Sequence, residues 1–258
     1  MTGSVALQLY TVRDETAKDF AQTLQHVAEI GYTGVEFAGY GNIPAPTMAK
    51  LLQNNALKAV STHVSYEQLV NNFEEAIEYC LSIDCPYLIV PWIDKEWLNK
   101  GTNLQGFTEG LNDLGYRAKR QGLTLGYHNH NFEFETIIHG KPLYDQLVAK
   151  TDPALVKFEL DTYWAAYAHI EVVPLIQQLC QRQRLITLHL KDMTHERTFT
   201  EVGAGILPID EYIQAAQAKQ TTGAITFIVE NDRPTIPSLE SARRSLENLR
   251  KNTLLYPR

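Results

Sequence analysis

The chain of 258 residues has no uncharged apolar stretch of about 18 residues, so no membrane-spanning helix is expected. It has few cysteines: Cys80, Cys85 and Cys180 are an odd set whose spacing fits neither a disulfide framework nor a zinc knuckle. Reduced thiols in a cytoplasmic protein are expected instead. No basic region followed by an apolar core opens the chain; MTGSVALQLYTVRD reads as a strand running into a loop. Runs of Lys or Arg are absent and the net charge is −7, which argues against a nucleic-acid or anionic-membrane partner. Low-complexity segments and Pro/Gly/Ser linkers are absent too, so residues 1–258 are expected to form a single domain. The segment LQLYTVRDET carries no glycine, so a doubly wound sheet with a phosphate-binding loop after its first strand is disfavoured.

What is present is alternation. Hydrophobic residues make up 44% and charged residues 21%, an ordinary globular balance. Eight β-branched runs are separated by segments of helical period: 5–10, 33–37, 57–63, 86–92, 123–128, 155–161, 185–190 and 224–230. Phe20, Leu24, Val27 and Ala28 share one helical face ahead of Gly31. Phe107, Leu111, Leu114 and Ala118 do the same ahead of Gly122, and Leu69, Phe73, Ala76 and Cys80 form a third such face. Thr47 and Ser238 are candidate helix starts. Eight strand–helix units in this length predict an α/β fold, a single (β/α)8 TIM barrel.

The strands carry a second pattern. Side chains alternate with period two, and the bulky apolar register is expected to face the helices. Ala59, Ser61 and His63 then share the inner register, as do Leu185, Thr187 and His189, and as do Lys157, Glu159 and Asp161. On that register six strands end in Glu36, His63, His128, Asp161, His189 and Glu230. All six are ionisable and would converge at the C-terminal mouth, where barrel enzymes hold their chemistry. Burying carboxylates together is costly without a cation. Two imidazoles with two carboxylates suit Mn²⁺, Zn²⁺, Co²⁺ or Fe²⁺ better than Ca²⁺ or Mg²⁺.

Eight segments carry a family resemblance: LQLYTVRD (7–14), GYTGVEF (31–37), STHVS (61–65), GYHNHNFEF (126–134), ELDTYW (159–164), HLKD (189–192) with VGAGILP (202–208), and IVEND (228–232). Together they resemble the sugar phosphate isomerase/epimerase superfamily, the xylose isomerase-like TIM barrels. The resemblance implies one divalent metal, most often Mn²⁺, with Zn²⁺ the other leading choice here. It places Asp161, His189 and Glu230 among the ligands. Where the family often reads E-N-H, this chain reads His128-Asn129-His130, which puts His128 in place of a ligand carboxylate, with Glu133 or Glu135 as alternatives. Trp164 stands where several epimerases carry a substrate-binding histidine, and either stacks on a sugar ring or packs in the core.

The implied chemistry is proton transfer beside a metal-polarised carbonyl, through an enediolate. Glu230 is the expected proton-transfer group, with His128, His130, Lys191 and His63 as candidates for the second such role. Lys191 alternatively pairs with Asp192 or Glu159. Trp164, Glu36, Arg13 and Gln8 are the expected substrate contacts; Arg13 alternatively pairs with Asp14 or Glu36. Arg13, Arg197 and Arg233 are the loop candidates for holding a phosphate. The expected activity is isomerisation or epimerisation of a small carbohydrate. A lyase acting on a 3-keto-glycoside is the alternative, because the same enediolate expels a β-leaving group. An apurinic-site nuclease and a non-catalytic sugar-binding barrel are more distant. Oligomeric state is left open.

Overall fold

A computed structural model describes residues 5–94, 103–218 and 225–252. Eight parallel strands close into a barrel in chain order: β1 (Val5–Gln8), β2 (Gly34–Phe37), β3 (Lys58–His63), β4 (Tyr87–Val90), β5 (Thr124–His128), β6 (Val156–Asp161), β7 (Leu185–Leu190) and β8 (Thr226–Val229), with β8 pairing back onto β1. The expected eight-stranded barrel is therefore observed. The expected start of the last strand at residue 224 lies outside the described residues. Glu230 falls one residue past β8, yet its N–H still bonds Leu190 O at 3.2 Å. No helix among the described residues is long and apolar enough to cross a membrane.

Local chemistry explains the helices. Asp19 accepts the Gln22 N–H at 2.9 Å to start Phe20–Ile30, and Gly31, at φ 106°, ends it in the left-handed conformation. Helix Asn103–Arg120 buries Leu104, Phe107, Leu111, Leu114 and Ala118 on one stripe. The segment expected as one helix through Leu69 and Cys80 is two, Tyr66–Asn71 and Phe73–Ser82, because Asn72 leaves helical geometry at φ −133°. Ser65 starts the first with a capping box. Ser238 begins Ser238–Asn252, but Thr47 lies inside Ala45–Asn54, which starts after Pro44.

The alternation places Val35, Phe37, Leu125, Tyr127, Phe158, Leu160, Leu188, Leu190, Phe227 and Val229 in the main core beneath the helices. Two β-bulges reset it. Val35 pairs with Ala59 but Glu36 with Ser61, and Phe158 pairs with Leu185 but Glu159 with Thr187. The extra residues, Val60 and Ile186, go into the barrel, while Ala59 and Leu185 join the outer core, against the expectation for both. Val60 clusters with Ala6 and Ile228 at the barrel floor. Gly34 makes room for them: a Cβ there would sit 2.8 Å from Val60 Cγ2.

Asp192 ties down the loop after β7. Its Oδ2 accepts the N–H groups of Gly203 and Gly205 at 2.9 and 3.0 Å, and its Oδ1 those of Met193 and Leu207 at 2.8 and 3.1 Å. Asp192→Ala leaves all four donors without this acceptor. A loss of about 2–4 kcal/mol is expected in denaturant unfolding, with an unchanged m-value. A loss under about 1 kcal/mol would mean that other acceptors take over.

Candidate functional site

At the C-terminal mouth the ionisable side chains form two layers. In the lower one, Glu36 and Glu159 are fully buried. Glu36 accepts from Ser61 Oγ at 2.6 Å, Gln8 Nε2 at 2.7 Å and His189 Nε2 at 2.6 Å. Glu159 accepts from Thr187 Oγ1 at 2.7 Å, His63 Nε2 at 2.8 Å and His128 Nδ1 at 3.0 Å. The upper layer holds Asp161, His189, Glu230, Lys191 and Asp232. Lys191 Nζ lies 2.8 Å from each of Asp161 Oδ2, Glu230 Oε2 and Asp232 Oδ1. The partner of Lys191 is thus this carboxylate trio, whereas Asp192 serves the 203–207 loop.

Electrostatics follows from this crowding. Burial pulls His189 down, but the charges of Glu159 and Glu36 outweigh it and hold the imidazole well above its ordinary range. Burial likewise opposes Lys191, and Asp161, Asp232 and Glu230 overcome it. Glu230 would rise on burial but is held well below the usual carboxylate range by Lys191 and His189. Asp232 is pushed up to about 6 by burial, against the pull of Lys191. His130 is pushed down to about 2 by burial and by the neighbouring His128 and Lys191. It is therefore a neutral imidazole at rest, and its buried Nδ1 has no hydrogen-bond partner among the described residues.

The donor set fits a divalent cation. His189 turns Nε2 onto Glu36 and leaves Nδ1 toward Glu230, 2.8 Å away. His128 turns Nδ1 onto Glu159 and leaves Nε2 toward Asp161 Oδ2, 3.7 Å away. A carboxylate behind each imidazole, fixing which nitrogen faces forward, is the usual support of a metal-binding histidine. Ligand atoms of Asp161, His189 and Glu230 lie within 4.8 Å of one another, as do those of His63, His128, Glu159 and His189. The first set, joined by His128, is the better candidate. Glu159 is already spent on three donors, whereas among the described residues Asp161 Oδ2 accepts no hydrogen bond of good geometry and has the Lys191 ammonium and His128 Nε2 beside it.

A cavity of about 1040 Å³ opens over this cluster, lined by His63, His128, His130, Trp164, Lys191 and Glu230 among others. The Trp164 ring lies 5.7 Å from that of His130 and packs on Tyr163, Tyr167 and Phe199. It therefore both packs and faces the cavity. Arg13, Arg197 and Arg233 also line the cavity. Arg13 bonds the carbonyls of Tyr10 and Asp232 rather than Asp14 or Glu36. Gln8 and Glu36, expected against substrate, lie fully buried beneath the cavity and bond each other. Strand ends sit at different depths in a tilted barrel, so equal parity does not give equal access. Glu133 is turned away from the cluster: it accepts from Tyr127 Oη at 2.8 Å and the His130 N–H at 2.7 Å. Glu135 is exposed and bonds Asn131. Two contributors have no site role in the sequence pattern: Glu159, expected there only as an alternative partner of Lys191, and Asp232. Glu159 shares the parity of Asp161, which was the available signal; nothing local marks Asp232.

Glu133 gives a pH prediction. Burial pushes its carboxyl up to about 7. A folded-state value above the unfolded one means stability is full below the unfolded value and is lost as pH rises through about 7. Gln in its place still accepts the His130 N–H and donates to Tyr127. Glu133→Gln is expected to flatten the pH dependence and to gain about 1–3 kcal/mol at pH 8. Urea melts at pH 5 and pH 8 test this; parallel shifts of both proteins would refute it.

Known proteins match this architecture. The family model described as xylose isomerase-like TIM barrel matches residues 24–252. Curated relatives named inosose dehydratase include one from Salmonella typhimurium, 25% identical over 91% of this chain and 90% of its own. Another, from Bacillus licheniformis, is 28% identical over 66% of this chain and 62% of its own. Among solved structures, a sugar phosphate isomerase/epimerase from Parabacteroides distasonis superposes with a TM-score of 0.83 at 22% identity, covering 98% of this chain and 95% of that one. The IolI protein, solved with a bound zinc atom, superposes with a TM-score of 0.72 at 13% identity over 96% and 97% of the two chains. With the family model spanning nearly the whole barrel, the chain belongs to the xylose isomerase-like TIM barrel family of enzymes.

Proposed function

We propose that the protein is a metal-assisted lyase acting on a cyclic polyhydroxy ketone, removing the proton beside the carbonyl and expelling the oxygen substituent β to it. The observation that carries this reading is His130, which lines the cavity with a buried Nδ1 that has no hydrogen-bond partner among the described residues. The curated relatives' name, a dehydratase, supports the same class. His128, Asp161, His189 and Glu230 would hold the divalent ion, Mn²⁺ or Zn²⁺ by their donor chemistry. When bound, such an ion polarises a carbonyl and acidifies the adjacent C–H.

The chain's own residues account for the rest. His130 Nδ1 accepts the proton from the α-carbon. An imidazole held so low is a weak base, so abstraction depends on a C–H already acidified beside the polarised carbonyl; once protonated it is a strong acid and passes the proton on readily to the departing oxygen. The electron pair of the C–H bond becomes the new C=C, and the C–O bond breaks with its pair on oxygen. Lys191, an ammonium anchored by three carboxylates, stabilises negative charge developing on the ketone oxygen. Trp164 offers a flat face to the ring.

A second reading, an isomerase or epimerase, is favoured by Glu230, an ionised carboxylate lining the same cavity. Proton NMR in deuterated buffer with added Mn²⁺ or Zn²⁺ separates the two, using an inosose, 3-keto-glucosides and free ketoses as substrates. Release of water or alcohol is the expected result. Solvent deuterium entering an epimer or isomer without release would overturn it.

A further inference from the structure

A second cleft of about 690 Å³ opens between the loop after β2 and the two short helices after β3. It shares His63, Gly39 and Gln68 with the main cavity, so the two spaces meet at His63, above Glu36 and Glu159. The chemistry proposed above leaves it unused. The main cavity alone is already at the upper end of what a drug-sized ligand needs, more room than one six-membered ring fills.

The walls of the second cleft have a consistent chemistry. Tyr40 and Tyr79 stack with centroids 3.7 Å apart, and their hydroxyls are fixed on Thr62 Oγ1 at 2.9 Å and Ile43 O at 2.7 Å. Asn42, Asn72 and Glu75 line the same cleft, are exposed, and make no side-chain hydrogen bond among the described residues. Asn72 stands at the N-cap of Phe73–Ser82 yet its side chain caps nothing, forgoing about 1 kcal/mol that an asparagine there usually supplies. Asn42 holds φ 58°, a left-handed conformation uncommon outside glycine. Two amides and a carboxylate kept free beside a rigid aromatic pair match a ring with hydroxyls on its edge and an apolar face.

We propose that the substrate is a glycoside, and that this second cleft holds the departing sugar, with the bond that breaks lying in the main cavity between His130 and His63. The inference rests on the elimination reading. The α-proton ends on the glycosidic oxygen, that C–O bond breaks with its electron pair on oxygen, the C–H pair forms the C=C, and the second sugar leaves intact.

The test compares the wild type with the double variant Asn42→Gly, Asn72→Ala, in which Gly retains the left-handed backbone. With Mn²⁺ or Zn²⁺ present, the ratio of kcat/KM for 3-keto-cellobiose or 3-keto-maltose to that for methyl 3-keto-glucoside is expected to fall about tenfold in the variant, the scale of one or two lost hydrogen bonds. An unchanged ratio overturns the proposal. Binding of unoxidised cellobiose, maltose and methyl glucoside, followed by saturation-transfer NMR, is read without turnover. The wild type is expected to bind one disaccharide about tenfold more tightly than the methyl glucoside, and the variant to lose that preference. If no keto sugar is turned over but this preference is present and lost in the variant, the elimination reading fails and the second sugar site stands. If the wild type shows no preference, the second site fails whatever the turnover.

Discussion

Lys191→Met is expected to be the most damaging single substitution at the mouth. It removes the ammonium that lies 2.8 Å from three carboxylates, with Lys191 itself only 2% exposed. Methionine fills much of the volume but leaves Asp161, Glu230 and Asp232 facing one another. Removing one partner of a buried ion pair typically costs about 3–5 kcal/mol, because the charge left behind has neither water nor a counterion. For a chain of this size that is a fall of roughly 6–20 °C in Tm. The same carboxylates, Asp161 and Glu230, belong to the candidate metal set, so added Mn²⁺ or Zn²⁺ is expected to restore part of the loss in the variant and to stabilise it more than the wild type. Thermal melts with and without metal after chelation provide the check. A variant that melts with the wild type in the absence of metal would show that the trio does not depend on Lys191. Equal metal shifts in the two proteins would show that lysine and metal use different oxygens.

That cluster also shows which parts of the molecule were legible in its sequence. The period-two strands and their ionisable ends were local facts, visible because each outward residue must be apolar to meet a helix. Hence the pattern marks Asp161, His189, His128, His63 and Glu230, and the structure brings all five to one mouth. Depth was not local. Glu36 has the same parity as Glu230 but lies lower, fully buried, where it orients His189. The two bulges were also invisible, since an extra residue in β3 and β7 is tolerated only because the closed barrel accepts Val60 and Ile186 inside it. The partner of Lys191 was open for the same reason: Asp192 is its neighbour in sequence, but its three carboxylates come from β6 and from the turn after β8.

The two readings of the reaction part company at Glu230→Gln and His130→Ala. If His130 moves the proton, its replacement by alanine removes base and acid together. Turnover is then expected to fall on the order of 10²–10⁴, the usual scale of general acid–base catalysis, with little change in KM. Metal content should be retained, because His130 lies outside the His128, Asp161, His189 and Glu230 set. Its buried Nδ1 has no hydrogen-bond partner among the described residues, so folding should also survive. Glu230→Gln keeps an oxygen for the metal, and its amide still pairs with His189. It cannot accept a proton, and Lys191 loses one of its three anions. If Glu230 serves only to hold cations, turnover is expected to fall by about tenfold or less, through a loosened Lys191. If Glu230 is itself the base, the order inverts: Glu230→Gln falls by roughly 10² or more while His130→Ala stays within a few fold. Single-turnover rates for both variants at matched metal occupancy decide it, and the inverted order would replace the lyase reading with the isomerase one.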